Sequence, residues 1–214
     1  MLLTISHPPI TLTKRILATI VTSLTVVILT TCPSVAASID TPKFHQALYS
    51  LHLQTIKDKQ LRLVETEGQY RGSAAGKYRY KDTQYFDASN NRLLSHVIRD
   101  ADSPDAIHIV EVNIYDESGR IVRDFGSITL PNLPTWPIRT FINFHQYNKE
   151  LHSFRQFDGD GEVTYESCNG KYEDRKVNIS LDGLDIKPAT TSSAEYKACF
   201  DGIRTDWANY AIPH

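Results

Sequence analysis

Two histidine pairs are the first candidates for chemistry in this sequence, because the members of each pair stand seven residues apart. His45 and His52 would share one face of a helix, two turns apart. His145 and His152 would face each other on paired strands if residues 148–149 formed a two-residue hairpin turn. Two facing imidazoles suit Zn²⁺. No third ligand is evident, and Asn-Lys is a poor type I′ turn, so histidines without a metal are the favoured interpretation.

Aspartates recur in three short motifs that run from an aromatic residue through Asp and small polar residues to Gly or Asn. The Asp side chain can accept from backbone N–H groups two residues on, and Gly or Asn can adopt the positive φ of a hairpin turn. The residues concerned are Asp87 with Asn91, Asp116 with Gly119, and Asp158 with Gly161. The motifs resemble the turns of tyrosine–aspartate hairpin repeats, but their unequal spacing argues against a repeat array. They predict hairpin turns and not Ca²⁺ sites, since none supplies the ligands of an EF-hand loop.

A row of tyrosines is the third candidate. The segment from Lys77 to Lys81 alternates basic and aromatic residues, which predicts a half-buried strand with Tyr78 and Tyr80 on one face. Tyr70 can extend this row. An exposed tyrosine face could stack on a sugar or a peptide, whereas packing of the same face on the core is the simpler interpretation.

Catalytic signatures are absent from the sequence. It contains no GxSxG elbow, no HExxH motif, no P-loop and no dinucleotide-binding glycine fingerprint. We therefore expect no enzyme, no metal and no cofactor. A hydrolase with dispersed site residues is the alternative, because catalytic triads are defined by geometry and not by sequence order.

The N-terminus predicts a secretory signal peptide at residues 1–37. Lys14 and Arg15 precede an uncharged run at residues 16–31, and small residues of the cleavage-site type follow it. A spanning helix needs ~20 apolar residues, so an uncleaved anchor is the weaker alternative, as is a lipoprotein acylated at Cys32. The chain should therefore be periplasmic or extracellular. Its net charge of −2 gives no indication of nucleic-acid binding, and no later segment is long and apolar enough to span a membrane.

Cysteine usage agrees with export. Removal of the signal peptide leaves Cys168 and Cys199, and an even pair in an oxidising compartment predicts a disulfide. Closure of this loop would stabilise the fold by roughly 3–4 kcal/mol in the chain-entropy model.

The periodicities predict a mainly β (α+β) fold. We expect a linker and short helix at 38–60, and a single β-rich domain at 61–214. Its sheet should be an antiparallel meander of hairpins, sandwich- or barrel-like, with short N-terminal and C-terminal helices. Thr41 is expected to cap the first helix, and Pro137 to begin a short helix that runs through Phe144. The expected strands lie near 61–70, 77–87, 92–100, 106–115, 120–129, 151–157, 162–168 and 176–181.

Three classes of function fit these features. A non-catalytic binding or accessory protein of the cell envelope, whose partner is an envelope protein or a glycan, is favoured. The hydrolase with dispersed residues is the second class. The third is a structural or assembly protein that pairs with a partner through a sheet edge.

Overall fold

The computed structural model describes residues 39–70, 78–131 and 137–203, all of which belong to one compact unit. The predicted signal peptide and Cys32 lie outside these described residues. The helices and strands are α1 (Thr41–Ile56), β1 (Leu61–Gln69), β2 (Arg79–Asp87), β3 (Arg92–Asp100), β4 (Ile107–Tyr115), β5 (Ile121–Ile128), β6 (Arg139–Asn148), β7 (Leu151–Phe157), β8 (Val163–Tyr172), β9 (Arg175–Asp182), a 3₁₀ turn (Gly183–Asp185), α2 (Pro188–Thr191) and α3 (Ala194–Phe200).

The nine strands form one antiparallel sheet in which the spatial order equals the chain order. Each strand pairs with the strand that follows it along the chain, and antiparallel neighbours of this kind need only short connections. Within the described residues β1 pairs only with β2, and β9 only with β8, so both edges of the sheet are open. The predicted antiparallel meander with terminal helices is confirmed.

Helix α1 supplies the centre of the core. Asp40, and not Thr41 as predicted, caps it by accepting from the backbone N–H of Lys43 at 3.2 Å. Phe44, Leu48 and His52 recur every four residues and are fully buried against β3, β4, β5 and β6.

The side of the sheet that α1 covers is called the inner face here, and the opposite side the outer face. The pairing register places Phe125, Ile142 and Phe157 together on the inner face, where all three are buried. Residues next to them in the same strands, such as Asp124 and Asn143, therefore point to the outer face.

Strand β6 overturns the prediction of a short helix from Pro137 through Phe144. Thr140, Ile142 and Phe144 alternate with outer-face residues and are buried on the inner face. A period of two with β-branched and aromatic residues favours a strand, and the proline lies before the strand and leaves its ladder intact.

Helix α3 covers the inner face beyond α1. Ser193 caps it by accepting from the N–H of Tyr196 at 3.1 Å. The predicted disulfide between Cys168 of β8 and Cys199 of α3 is confirmed, and both cysteines are fully buried. The C-terminal helix is therefore covalently attached to the sheet it covers.

Candidate functional site

A pocket of about 200 Å³ lies on the inner face, near the start of β2 and the end of β3. The register pairs Glu65 with Thr83 and Lys81 with Arg99, which directs these four side chains to the same face. The lining residues are Glu65, Lys81, Thr83, Tyr85, Arg99, Asp100, Ala101 and Pro104.

Arg99 is the chemically distinctive residue of this pocket. Its Nη2 donates to the Tyr85 hydroxyl at 3.2 Å, and its guanidinium carbon lies 5.9 Å from the centre of the Tyr49 ring. Its Nε is buried and has no hydrogen-bond acceptor among the described residues. In the same part of the chain Arg99 forms no ion pair with a carboxylate. A buried donor on a permanent cation is costly to leave unpaired, so this group is suited to an anion.

The other charged groups of the pocket already have partners. Lys81 Nζ lies 2.8 Å from Glu65 Oε1. Asp100 Oδ1 accepts from the backbone N–H groups of Asp102 at 2.8 Å and Ser103 at 2.7 Å. Among the charged groups of the pocket, Arg99 is therefore the one with a buried donor that lacks an acceptor in the described part of the chain.

His52 stands behind this pocket and is fully buried. Its Nδ1 lies 2.8 Å from Ser95 Oγ, its Nε2 has no partner among the described residues, and its ring centre lies 4.7 Å from that of Tyr85. Burial, helped by the charge of Arg99, lowers the pKa of His52 to about 4. The imidazole is therefore neutral near pH 7.

The two histidines of α1 each contact a serine, which resembles half of a hydrolase site. His45 Nδ1 lies 2.9 Å from Ser127 Oγ, in the same way that His52 meets Ser95. Both serines are fully buried, so neither hydroxyl can reach a substrate. These contacts satisfy polar groups beneath α1 and provide no nucleophile.

The second histidine pair lies on the outer face, and its geometry differs from the one predicted. The turn between β6 and β7 comprises residues 149–150, so His152 stands opposite Tyr147 and His145 stands opposite Phe154. His145 and His152 are diagonal neighbours. Nevertheless, His145 Nδ1 lies only 3.0 Å from His152 Nε2.

Carboxylates accompany both outer-face histidine sites. His145 Nε2 lies 2.7 Å from Asp124 Oδ2. On β3, His96 lies between Asp82 of β2 at 2.8 Å and Glu111 of β4 at 3.1 Å. The hydrogen bond to Glu111 is the main cause of the raised pKa of His96. Within 39–70, 78–131 and 137–203, no group of three or more His, Cys, Asp or Glu residues is arranged to hold a metal ion.

The histidine–carboxylate groups and the cavities do not coincide. A cavity of about 470 Å³ is bordered by His145, among other residues, but both ring nitrogens of His145 are engaged with Asp124 and His152. A third cavity of about 350 Å³ includes Asp158, whose Oδ1 accepts from the backbone N–H groups of Asp160 and Glu162. Neither cavity therefore presents an uncommitted acid–base pair.

The three aspartate motifs lie in turns between consecutive strands. In each, the Asp carboxylate accepts from a backbone N–H at 2.9 Å, and the Asn or Gly has positive φ. The angles are 59° at Asn91, 83° at Gly119 and 81° at Gly161, after Asp87, Asp116 and Asp158 respectively. The carboxylates are thus used within the turns.

The predicted tyrosine row is only partly assembled. The rings of Tyr70 and Tyr80 are 4.8 Å apart, and the Tyr70 hydroxyl lies 3.3 Å from His108 Nδ1. Burial raises the pKa of Tyr70 to about 12. A Cβ at Gly68 would overlap the Tyr80 ring, so this glycine lets the ring lie flat on β1. Tyr78 lies just before β2 and is half-buried.

Strand β1 is exposed on both faces. Six consecutive residues, 62–67, are exposed, including Leu63 and Val64. The strand is held by its ladder with β2 and by ion pairs such as Arg79 with Glu67 at 3.2 Å. An open edge of this kind can accept a further strand.

No protein-family model, no characterised protein and no solved structure compared with this chain matches it. Among the described residues, none of the helices is long and apolar enough to cross a membrane. The function must therefore be inferred from the chemistry of the chain itself.

Sequence reasoning missed Arg99 and its pocket. Arg99 reads as one more exposed charge at the end of a strand, and nothing in its neighbourhood along the chain indicates burial of its Nε. The surroundings of Arg99 follow from the pairing of β1, β2 and β3, in which Arg99 stands beside Lys81, and the sequence alone does not reveal this register.

Proposed function

We propose that this chain is a non-catalytic binding protein of the cell envelope or extracellular space, and that it holds a small organic acid at Arg99. The observation that carries this proposal is that Arg99 lines a pocket without a carboxylate partner in the described part of the chain, where its buried Nε also lacks an acceptor. A carboxylate there would receive a charge-assisted hydrogen bond, which is roughly twice as strong as a neutral one.

The size of the pocket limits the ligand. About 200 Å³ equals the volume of roughly six or seven water molecules, and it is below the ~300–1,000 Å³ of pockets for drug-sized ligands. The ligand should therefore be a metabolite-sized acid and not a lipid or an oligosaccharide.

The remaining lining groups select the rest of the ligand. Glu65 and Asp100 retain acceptor capacity beyond their contacts with Lys81 and the backbone, because each carboxylate has about four lone-pair sites. A hydroxyl or amino group on the ligand can donate to them while its carboxylate faces Arg99. We therefore assign the ligand to the hydroxy acids or amino acids.

The compartment is supported by two observations. The sequence begins with the charge, apolar run and small-residue order of a signal peptide. The Cys168–Cys199 disulfide is expected to persist in an oxidising environment and not in a reducing cytosol.

A second candidate function, assembly through a sheet edge, is favoured by the exposure of β1. If β1 recruits another strand, the protein should associate with a rising apparent mass in light scattering as its concentration increases. Replacement of both Leu63 and Val64 by Lys should abolish that association, because charged side chains protect sheet edges. A monomer at all concentrations would remove self-assembly from consideration.

The binding proposal is tested with small carboxylates, including glycolate, malate and glutamate, with inorganic phosphate as a separate arm. Ligand-detected NMR and thermal unfolding are measured on the full secreted protein. A ligand at 100 times its Kd should stabilise the fold by ~2.7 kcal/mol. Arg99→Met should weaken binding at least tenfold, because it keeps the length of the side chain and removes its charge and donors.

Arg62→Met is the matched control. Arg62 lies on β1 at the opposite end of these strands from Arg99 and on the outer face, over the Phe86 ring at 4.0 Å, so its loss should leave binding unchanged. Equal losses of affinity in both variants would mean that binding depends on the overall positive charge of the protein and not on Arg99. Absence of binding by every acid in wild-type protein would overturn the proposal. Binding of phosphate alone would replace the organic acid with a phosphorylated ligand.

A further inference from the structure

In the outer-face histidine pair, a ring nitrogen of His145 directly faces a ring nitrogen of His152. His145 Nδ1 and His152 Nε2 are 3.0 Å apart, and the two ring planes differ by 10°. One proton between these nitrogens explains the contact. A metal ion can take the place of that proton, because neutral imidazole nitrogens are the commonest protein ligands of transition metals.

Asp124 prepares His145 for this role. Its Oδ2 lies 2.7 Å from His145 Nε2, so that nitrogen donates to the carboxylate and Nδ1 is left as the ligand atom. Metal-bound histidines almost always donate their second N–H to a carboxylate, carbonyl or water in this way. Asn143 Nδ2 in turn donates to Asp124 Oδ1 and fixes the carboxylate.

His152 is also held in place and kept neutral. Its ring stacks on Tyr147 with centres 4.5 Å apart and planes within 4°. Burial, together with the nearby His145, lowers its pKa. In the tautomer with the proton on Nδ1, its Nε2 presents a lone pair toward His145.

We propose that His145 and His152 form a surface binding site for a divalent transition metal ion, with Cu²⁺ preferred over Zn²⁺. The preference follows from the distance between the nitrogens. Metal–nitrogen bonds of ~2.0–2.1 Å place two adjacent ligands about 2.8–3.0 Å apart in a square-planar site and about 3.3–3.4 Å apart in a tetrahedral one. The observed 3.0 Å fits the square-planar ion with little movement of the strands.

The adjustments required are local. Each imidazole must turn about χ2 so that both lone pairs meet at the ion, and this torsion is broad for histidine. Water must complete the coordination, because the pair supplies only two ligands. We therefore expect a micromolar Kd for Cu²⁺ and a weaker one for Zn²⁺, in the Irving–Williams order.

The experiment is a calorimetric titration of the full secreted protein with Cu²⁺ alone, in a weakly coordinating buffer at pH 7.5. Replacement of either His145 or His152 by Gln should weaken binding at least 30-fold. Asp124→Asn should weaken it about tenfold, because outer-shell partners tune affinity by ~10–100-fold.

His96→Gln is the matched control. His96 is also an outer-face histidine between carboxylates, but both of its nitrogens face Asp82 and Glu111 and no second imidazole is adjacent. Its replacement should leave the Cu²⁺ affinity unchanged. The electron paramagnetic resonance spectrum of the wild-type complex should show coupling to two nitrogens, a measurement that needs no variant to fold.

Three outcomes would overturn the site. The first is a Cu²⁺ affinity of the wild-type protein that is no higher than that of the double variant His145→Gln, His152→Gln. In that case the two histidines would share a proton and would not bind a metal ion. The second is loss of binding in His96→Gln. The third is coupling to a single nitrogen.

Discussion

Replacement of Glu166 by Gln should unfold this domain more readily than any other single change of similar size. Glu166 is 1% exposed and Arg155 7% exposed, and Arg155 Nε lies 2.6 Å from Glu166 Oε1. Tyr196 of α3 donates to the second carboxylate oxygen at 2.7 Å. The Gln side chain would remove the negative charge that lies against the buried guanidinium, and loss of one partner of a buried pair costs ~3–5 kcal/mol.

Urea unfolding followed by circular dichroism, with the disulfide oxidised, measures this change. A loss of 3–5 kcal/mol corresponds to a decrease in Tm of about 6–20 °C for a domain of this size. Tyr196→Phe should cost less, about 1.5–3 kcal/mol, because it removes one hydrogen bond to a charged acceptor and leaves the ion pair intact.

The double variant Arg155→Met, Glu166→Met shows whether the loss of stability in Glu166→Gln comes from the unbalanced charge or from altered packing. It replaces the pair with apolar side chains of similar volume, so its stability should lie close to that of wild type. The reasoning is refuted if Glu166→Gln stays within about 1 kcal/mol of wild type. It is also refuted if the double variant is as unstable as the single one.

Three further predictions concern the disulfide, pH and a turn. Replacement of Cys168 and Cys199 by Ala should cost about 4 kcal/mol in urea unfolding, given their separation of 31 residues; an unchanged midpoint would contradict this. The folded pKa of His52, about 4, lies below its ordinary value of 6.5, so stability should fall on the order of 3 kcal/mol as pH decreases through that window. His52→Gln should flatten this dependence of stability on pH. A variant with the same dependence as wild type would show that another group causes it. Gly119→Val should lower the unfolding free energy by roughly 1 kcal/mol or more because φ is +83°, whereas an unchanged Tm would argue against a turn constraint.

The sequence carried enough information to predict most of the sheet. Strands β3 and β7 have the predicted bounds because turn-forming residues flank both strands, and burial alternates along β7. Strand β6 differs from the prediction because Pro137 favours the start of a helix, although Thr140, Ile142 and Phe144 have the period of a strand. Local spacing is therefore reliable where turn residues bound it on both sides.

The candidate sites depended on contacts that local patterns do not contain. The proximity of His145 and His152 was visible in their spacing, but the turn lies one residue later than assumed, which makes them diagonal and not opposite. The environment of Arg99 depends on three strands and on the irregularity between Tyr85 and Phe86, where the register with β3 shifts. Such a shift moves a side chain relative to its neighbours without any change in composition.

Helix α1 is the first element of the domain along the chain, yet its partners β3 to β6 come later. During synthesis from the N-terminus, Phe44 and Leu48 must wait for the strands on which they pack until β6, ending at Asn148, has emerged. The hairpins between them can form early because each joins sequence neighbours. A chain that ends before β6 therefore lacks part of the surface on which the apolar stripe of α1 packs, and exposed apolar surface of this kind favours aggregation.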